Sequence, residues 1–244
     1  ADCIVCRTKS LDEFVEMAIQ KFDVVFESQR QISPNVLHLV FTRQDGGPFD
    51  FVPGQFLTFL LPHPECVKRR SYSLATMPGE SGKIEVSMSY VEGGYASEIF
   101  FSLKAGDTFH VMGPAGKLVM ADDSATRYVL VGTGTGIAPY RTMLPGLASR
   151  MKANPTFAAT ILQGAQYRDD LIYREDFLAA AASAPHLTYQ SHLSREDLTT
   201  RESHEFSGYV QHAFKGLHLS PEHDIVFLCG NPSLDEVDFF HLSL

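Results

Sequence analysis

Polar and apolar residues alternate in four stretches of the first half of the chain, at residues 22–27, 36–42, 84–90 and 108–112. A period of two turns one face of each stretch to a core and the other to water, as in half-buried strands. Turn chemistry separates them at Asp45-Gly46-Gly47-Pro48, Met77-Pro78-Gly79 and Lys104-Ala105-Gly106-Asp107. Short strands at this spacing predict an antiparallel barrel or sandwich, interrupted by one helix over residues 97–103, just after Gly93-Gly94. The texture changes after Arg127. Apolar runs at 128–131, 157–162, 187–189 and 225–229 alternate with helical patterns at 140–151 and 173–182. Buried strands alternating with helices predict a parallel, doubly wound sheet. Ahead of both regions, Ser10-Leu11-Asp12-Glu13 reads as a capping box, and Leu11, Phe14, Val15, Ala18 and Ile19 follow at helical spacing.

The reading is therefore a two-domain chain: an N-terminal extension with a short helix over 1–21, an antiparallel β-barrel domain over 22–122 and an α/β domain over 123–244. The join falls at the polar stretch Ala121-Asp122-Asp123-Ser124. A length of 244 residues allows two such cores. The net charge of −9 argues against a nucleic-acid partner, although Lys68, Arg69 and Arg70 form a local basic patch. Apolar runs are too short for a membrane span, and no secretory signal is visible, so a cytoplasmic protein is expected. Cys3-x-x-Cys6 has the spacing of a metal or redox pair. With only four cysteines and no second such pair, no metal site is expected and the thiols read as reduced.

Chemistry concentrates in four motifs. In the strand-like run holding Arg70-Ser71-Tyr72-Ser73, Arg70 and Tyr72 share one face. A guanidinium fork suits phosphate oxygens, a phenol ring suits stacking on a flat ring system, and a serine hydroxyl can meet a ring nitrogen. Taken alone, the tetrapeptide also fits an ordinary edge strand. Gly94-Tyr95-Ala96-Ser97 opens a helix whose first amides can hold an anion, or simply marks an N-cap. Gly132-Thr133-Gly134-Thr135-Gly136-Ile137-Ala138-Pro139 follows an apolar strand and leads into a helix. It departs from G-x-G-x-x-G, and no acid stands about twenty residues on to hold a ribose 2′-hydroxyl. Cys229-Gly230-Asn231-Pro232 ends an apolar strand where open parallel sheets bind ligands, or places a buried cysteine before a turn. Two diphosphate cradles and a ring platform are the parts of a flavin and its redox partner.

With Phe51-Val52-Pro53-Gly54-Gln55-Phe56, these make five elements in order, and from residue 22 to residue 232 the chain closely resembles the ferredoxin–NADP⁺ reductase superfamily. The resemblance implies an FAD-binding barrel and an NADP(H)-binding α/β domain, with hydride passing between nicotinamide and flavin N5 in the cleft. Catalytic roles fall to Ser73, near N5, and Cys229, near the nicotinamide C4. Arg70 would hold the FAD pyrophosphate and Tyr72 stack on the isoalloxazine, with Ser71, Met88, Ser89 and Tyr90 in the same cofactor set. Amides of Tyr95, Ala96 and Ser97, behind Gly94, would take the remaining phosphate. Thr133, Gly134, Thr135 and Gly136 would lie close to both cofactors, and Ala165, Gln166, Gly230 and Asn231 would line the nucleotide site.

The same resemblance gives Ser194, Arg195, Tyr209 and Gln211 the adenosine 2′-phosphate, and hence NADPH preference over NADH. On local pattern Ser194 equally caps a helix begun by Arg195-Glu196-Asp197. Family members often end with an aromatic residue over the flavin face or a longer terminal helix; either Phe239, Phe240 or Leu244 would fill that role, or the tail is truncated. The implied partner is a one-electron carrier, ferredoxin or flavodoxin. Alternatives are the reductase component of an oxygenase, a free-flavin reductase, and a flavin-binding sensory module without turnover.

Overall fold

The computed structural model describes residues 19–79 and 82–230, together with the backbone of a strand at Asp2–Cys6 (β1). The expected N-terminal helix lies outside the described residues except for Ile19, as do Asn231 and the three terminal candidates Phe239, Phe240 and Leu244.

The first domain is a six-stranded antiparallel sheet of β2 (Gln20–Ser33), β3 (Val36–Arg43), β4 (Phe56–Leu61), β5 (Lys68–Ser73), β6 (Lys83–Ser89) and β7 (Thr108–Ala115). Their order is β5-β4-β7-β2-β3-β6, and a Leu74–Val86 bridge brings the end of β5 against β6, closing the barrel. All four alternating stretches are strands. β4 escaped the polarity pattern because five of the six residues in Phe-Leu-Thr-Phe-Leu-Leu are apolar. Its alternation is in burial instead, with Leu57, Phe59 and Leu61 fully buried. The interior is aromatic: Phe59 stands 5.2 Å from both Phe41 and Phe100, ring centre to ring centre, in the edge and tilted contacts that ring quadrupoles favour. The helix α1 (Tyr95–Phe100) begins two residues earlier than the pattern placed it, because Gly94 takes the extended N-cap conformation.

The second domain contains β8 (Arg127–Thr133), α2 (Ala138–Ala153), β9 (Ala158–Ala165), α3 (Arg174–Ser183), β10 (Leu187–Leu193), β11 (Glu205–Ser207), α4 (Phe214–Leu217) and β12 (Asp224–Gly230). Strands β12-β8-β9-β10-β11 run parallel in that order. Apolar packing covers both faces: Tyr128, Leu130, Ile161 and Phe227 on one side, Val129, Val131, Leu162 and Leu228 on the other. That double burial explains continuous apolar runs where the barrel strands alternate. One feature departs from the sequence reading. Residues 2–6 of the expected N-terminal extension form β1, which adds to this sheet antiparallel to β12, with Cys3 in register opposite Cys229.

The domains are pinned together at the start of α2. The Gly54 amide donates to Thr142 Oγ1 at 3.0 Å, and Arg141 donates to the Ala75 carbonyl. Among the described residues, no helix is long and apolar enough to cross a membrane.

Candidate active site

The loop before β4 is built to hold the end of β5. Buried Gln55 accepts the Val52 amide on its side-chain oxygen at 2.8 Å and the Leu74 amide on its carbonyl at 2.9 Å. Gly54 has φ +101°, and a Cβ there would stand 1.8 Å from the Leu118 carbonyl oxygen, so only glycine fits. The motif thereby fixes Ser73 and brings residues 116–118 beside it.

A cavity of 580 Å³ opens between the domains, well within the range of cofactor sites. Arg70, Ser71, Tyr72 and Ser73 line it from β5, and Met88 and Ser89 from β6. Gly94, Tyr95, Ala96 and Ser97 line it from α1, while Thr135, Gly136 and Cys229 reach it from the other domain. The sequence reading had singled out each of these. Tyr72 packs edge-on against Phe59 and Phe100, and burial pushes its phenol up, so it serves as an uncharged ring. Arg70 is exposed and donates to the Arg69 carbonyl. Ser97 Oγ accepts the Val91 amide at 2.8 Å, which closes the turn ahead of α1, whose first-turn amides have no intrahelical acceptor.

Other lining residues were missed. Gly116, Lys117 and Leu118 follow Gly113-Pro114, a turn signal at the end of β7 that could have marked them. Ser87 and Val91 also line the cavity, and nothing local distinguishes Ser87 from any polar residue of an alternating strand.

The glycine turn forms a short 3₁₀ helix at Gly134–Ile137 before α2, and Pro139 sits in the first turn as expected. A Cβ at Gly136 would lie 2.1 Å from the Cys229 carbonyl oxygen. The turn and the end of β12 therefore meet main chain to main chain, which places Thr135 and Cys229 in one cleft. The reading of reduced thiols fails at Cys229, which is disulfide-bonded. Sequence spacing had not brought β1 beside it. Cys66 is free and exposed.

The remaining nucleotide candidates lie away from this cavity, at the far ends of β9 and β10. The Ser194 amide donates to the Ala165 carbonyl at 3.0 Å and the Arg195 amide to the Gln166 carbonyl at 2.9 Å, so these four assemble. Gly208 donates to the Leu193 carbonyl, carrying exposed Tyr209 and then Gln211 toward the same edge. Thr133, Gly134 and Gly230 sit at the strand ends between the two places; a Cβ on Gly230 would meet Thr133 Oγ1 at 2.2 Å. Tyr90 departs from the set: it is exposed and packs on Phe101 instead. No helix follows Ser194, where residues 194–200 form irregular loop, so the capping alternative is not what folds. Arg195 is exposed, and its guanidinium has no ion-pair partner among the described residues. Its neighbour Glu196 accepts the Arg168 amide at 2.7 Å. Arg168 in turn is held by Glu205, whose carboxyl this pairing lowers to about 2.

Two family profiles match the chain. One described as an oxidoreductase FAD-binding domain covers residues 23–120, and one described as an oxidoreductase NAD-binding domain covers residues 130–237. The chain belongs to the ferredoxin–NADP⁺ reductase superfamily. It is 34% identical to ferredoxin–NADP reductase B of Sorangium cellulosum over 176 residues, 72% of this chain and 71% of that protein. It is 28% identical over 227 residues to the reductase component of phenol 2-monooxygenase from Pseudomonas sp. strain CF600, covering 91% of this chain but 61% of that one. In fold it matches a ferredoxin NADP⁺ reductase from Neisseria gonorrhoeae solved with bound FAD and NADP, at a TM-score of 0.72 and 20% identity, covering 93% of this chain and 91% of that one. The protein is thus an FAD- and NAD(P)-binding oxidoreductase, with the flavin domain first.

Proposed function

We propose that this chain is an NADPH-dependent reductase that passes electrons one at a time to or from a small carrier protein, ferredoxin or flavodoxin. The observation that carries the reading is the shared cavity. Residues 70–73 and 94–97 of the barrel meet Thr135, Gly136 and Cys229 of the α/β domain in a single cleft. The donor set fits a flavin dinucleotide: a guanidinium and first-turn amides for phosphate, an uncharged aromatic ring, and hydroxyls at Ser71 and Ser73. Bound there, FAD supplies the ability to accept hydride from a nicotinamide and to release electrons singly.

The protein's own share is position and field. Arg70 offers a charged fork to the diphosphate. Tyr72, wedged against Phe59 and Phe100, sets the plane on which a ring can lie. Ser73, fixed by the Gln55 contacts, contributes a hydroxyl from one domain, and Cys229 contributes an atom from the other when its disulfide is open. We assign Ser194, Arg195, Tyr209 and Gln211 to the 2′-phosphate end of NADPH. Support comes from the uncommitted Arg195 guanidinium and from Glu196 being engaged elsewhere. For the carrier, exposed Val67 and Arg69, with half-buried Lys68 between them, offer an apolar and basic edge beside the cavity on an otherwise acidic chain. The domain limits 22–122 and 123–244 and a cytoplasmic location complete the proposal.

Anaerobic mixing with NADPH, followed by a panel of acceptors, tests it. The expected result is rapid bleaching of bound flavin and reoxidation by ferredoxin or flavodoxin. Bleaching by NADPH with no carrier accepting electrons would overturn the carrier assignment. A second reading, the reductase component of an oxygenase, is favoured by the oxygenase reductase that matches 91% of the chain. Reoxidation by an oxygenase component but by neither carrier would select it.

A further inference from the structure

A buried group of ionisable side chains lies between the domains and has no part in the reading above. His38 on β3 and Glu85 on β6 enter it from the barrel. Tyr173, the N-cap of α3, enters from the other domain with Arg141 on α2 and Asp176 on α3. Arg30 on β2, opposite His38 in the strand register, is a further charged neighbour. His38 Nδ1 and the Tyr173 hydroxyl are 2.7 Å apart, and His38 Nε2 is 3.5 Å from Glu85 Oε2. Arg141 reaches the same carboxylate oxygen at 3.1 Å and Asp176 at 2.6 Å, and its guanidinium lies 4.8 Å over the Tyr173 ring. Burial pushes the Glu85 carboxyl up, but the hydrogen bond and charge of His38, with the charge of Arg141, more than offset this and hold it below its ordinary range.

Two further observations point this group at the cavity. Tyr173 has φ +57°, a left-handed conformation that a bulky residue keeps only when its surroundings over-determine it. Ser87 stands directly across from His38 in the β3–β6 register and so shares its face. Ser87 is buried and lines the cofactor cavity; its hydroxyl lies within reach of the Tyr173 phenol and has no other hydrogen-bond partner among the described residues.

We propose that Ser87, Tyr173 and His38 form a proton relay from the cofactor cavity to the His38–Glu85 pair. The inference rests on the proposed reductase reading, and its chemistry follows from it. A hydride carries two electrons and one proton, while a one-electron carrier removes electrons only. Each pair of electrons delivered therefore leaves one proton to be disposed of. Ser87 takes that proton as it passes its own hydroxyl hydrogen to Tyr173 Oη, and Tyr173 passes its hydrogen to His38 Nδ1. The resulting imidazolium faces the Glu85 carboxylate, which takes the proton from His38 Nε2 and passes it to water at its partly exposed edge. Burial raises the Tyr173 phenol, so it conducts by exchange and is never left as phenolate.

The test uses the FAD-loaded protein reduced by dithionite and mixed with ferricyanide, so neither NADPH nor a carrier is needed. Flavin absorbance reports the electrons, and a pH-indicator dye reports the released proton. Ser87→Ala and Tyr173→Phe are each expected to slow proton release by about tenfold or more, with flavin content and spectrum unchanged. The double variant should be no slower than the slower single one, and Ser87→Thr, which keeps the hydroxyl, should release protons as the parent does. His38→Gln should behave as Tyr173→Phe does. Ser87→Ala removes one atom and threatens no packing, so it decides the matter if another variant folds poorly. Proton release within about twofold of the parent in both Ser87→Ala and Tyr173→Phe would overturn the relay and leave the reductase reading standing. Failure of the parent to hold FAD would strike the reductase reading instead.

Discussion

The two domains meet one cavity by different means. On the barrel side, Arg70, Tyr72 and Ser73 project from a strand whose backbone is already paired with β4 along its whole length. On the α/β side, the cavity is reached by a turn and a strand end whose main chains touch, with Gly136 against Cys229 and Gly230 against Thr133. Barrel recognition is therefore carried by side chains on a scaffold that does not depend on them. Nucleotide-side recognition is carried by the path of the backbone. Substitutions should separate the two: on one side they should remove binding and spare the fold, and on the other they should cost the fold first.

The largest expected effect is on the backbone side. In Gly136→Ala the new methyl would lie 2.1 Å from a carbonyl oxygen and 2.4 Å from its carbon, and neither can move without shifting β12. A cost of about 4 kcal/mol or more is expected, a fall of roughly 10 °C in melting temperature. A thermal melt of Gly136→Ala that matches the parent would dissolve the contrast between the domains.

On the barrel side, Arg70→Ala should leave the melting temperature of the apoprotein unchanged while FAD binding weakens. Hydrogen bonds to a charged group contribute about 1.5–3 kcal/mol, so the dissociation constant should rise about ten- to a hundredfold. Flavin content after purification and a fluorescence titration measure it. Normal retention of flavin would remove Arg70 from the site.

Ser73→Ala should do less. Its hydroxyl contributes position at the reacting edge and little to affinity, so kcat should fall about tenfold with flavin content intact. Cys229→Ala belongs to the same test, run with and without a thiol reductant because the sulfur is disulfide-bonded. Wild-type turnover in both variants would show that neither atom stands where hydride crosses.

How much of this could be read from the chain follows the same division. Side-chain chemistry on alternating strands was legible: Arg70, Tyr72 and the residues of α1 all line the cavity. Where burial alternated without polarity, as in β4, the strand was invisible to the pattern. β1 was missed because edge addition depends on the partner strand, and nothing local to residues 2–6 specifies β12. The interdomain group was missed for a related reason. His38 and Tyr173 are 135 positions apart, and Arg141 and Ala75 are 66 apart, so no window along the sequence contains either contact. At Ser194 the local pattern offered a helix cap, but main-chain bonds to Ala165 and Gln166 hold residues 194 and 195 in a loop instead.

That loop yields the smallest and most selective effect. If Arg195 meets the adenosine 2′-phosphate, its removal should be felt only by the nucleotide that carries the phosphate. Arg195 is exposed and commits its guanidinium to no carboxylate among the described residues, so Arg195→Ala disturbs no ion pair and should leave stability unchanged. The contact is solvent-screened, so its loss should raise KM for NADPH by only about three- to tenfold, corresponding to roughly 1 kcal/mol. Steady-state kinetics with both nucleotides decide the point. NADH parameters should stay where they were, because the ribose hydroxyl makes no demand on a guanidinium fork. Equal losses with NADH and NADPH would mean that Arg195 shapes the loop instead of reading the phosphate. A parent protein that already prefers NADH would overturn the specificity outright, and would point to Glu196, released from the Arg168 amide, as the group that holds the ribose.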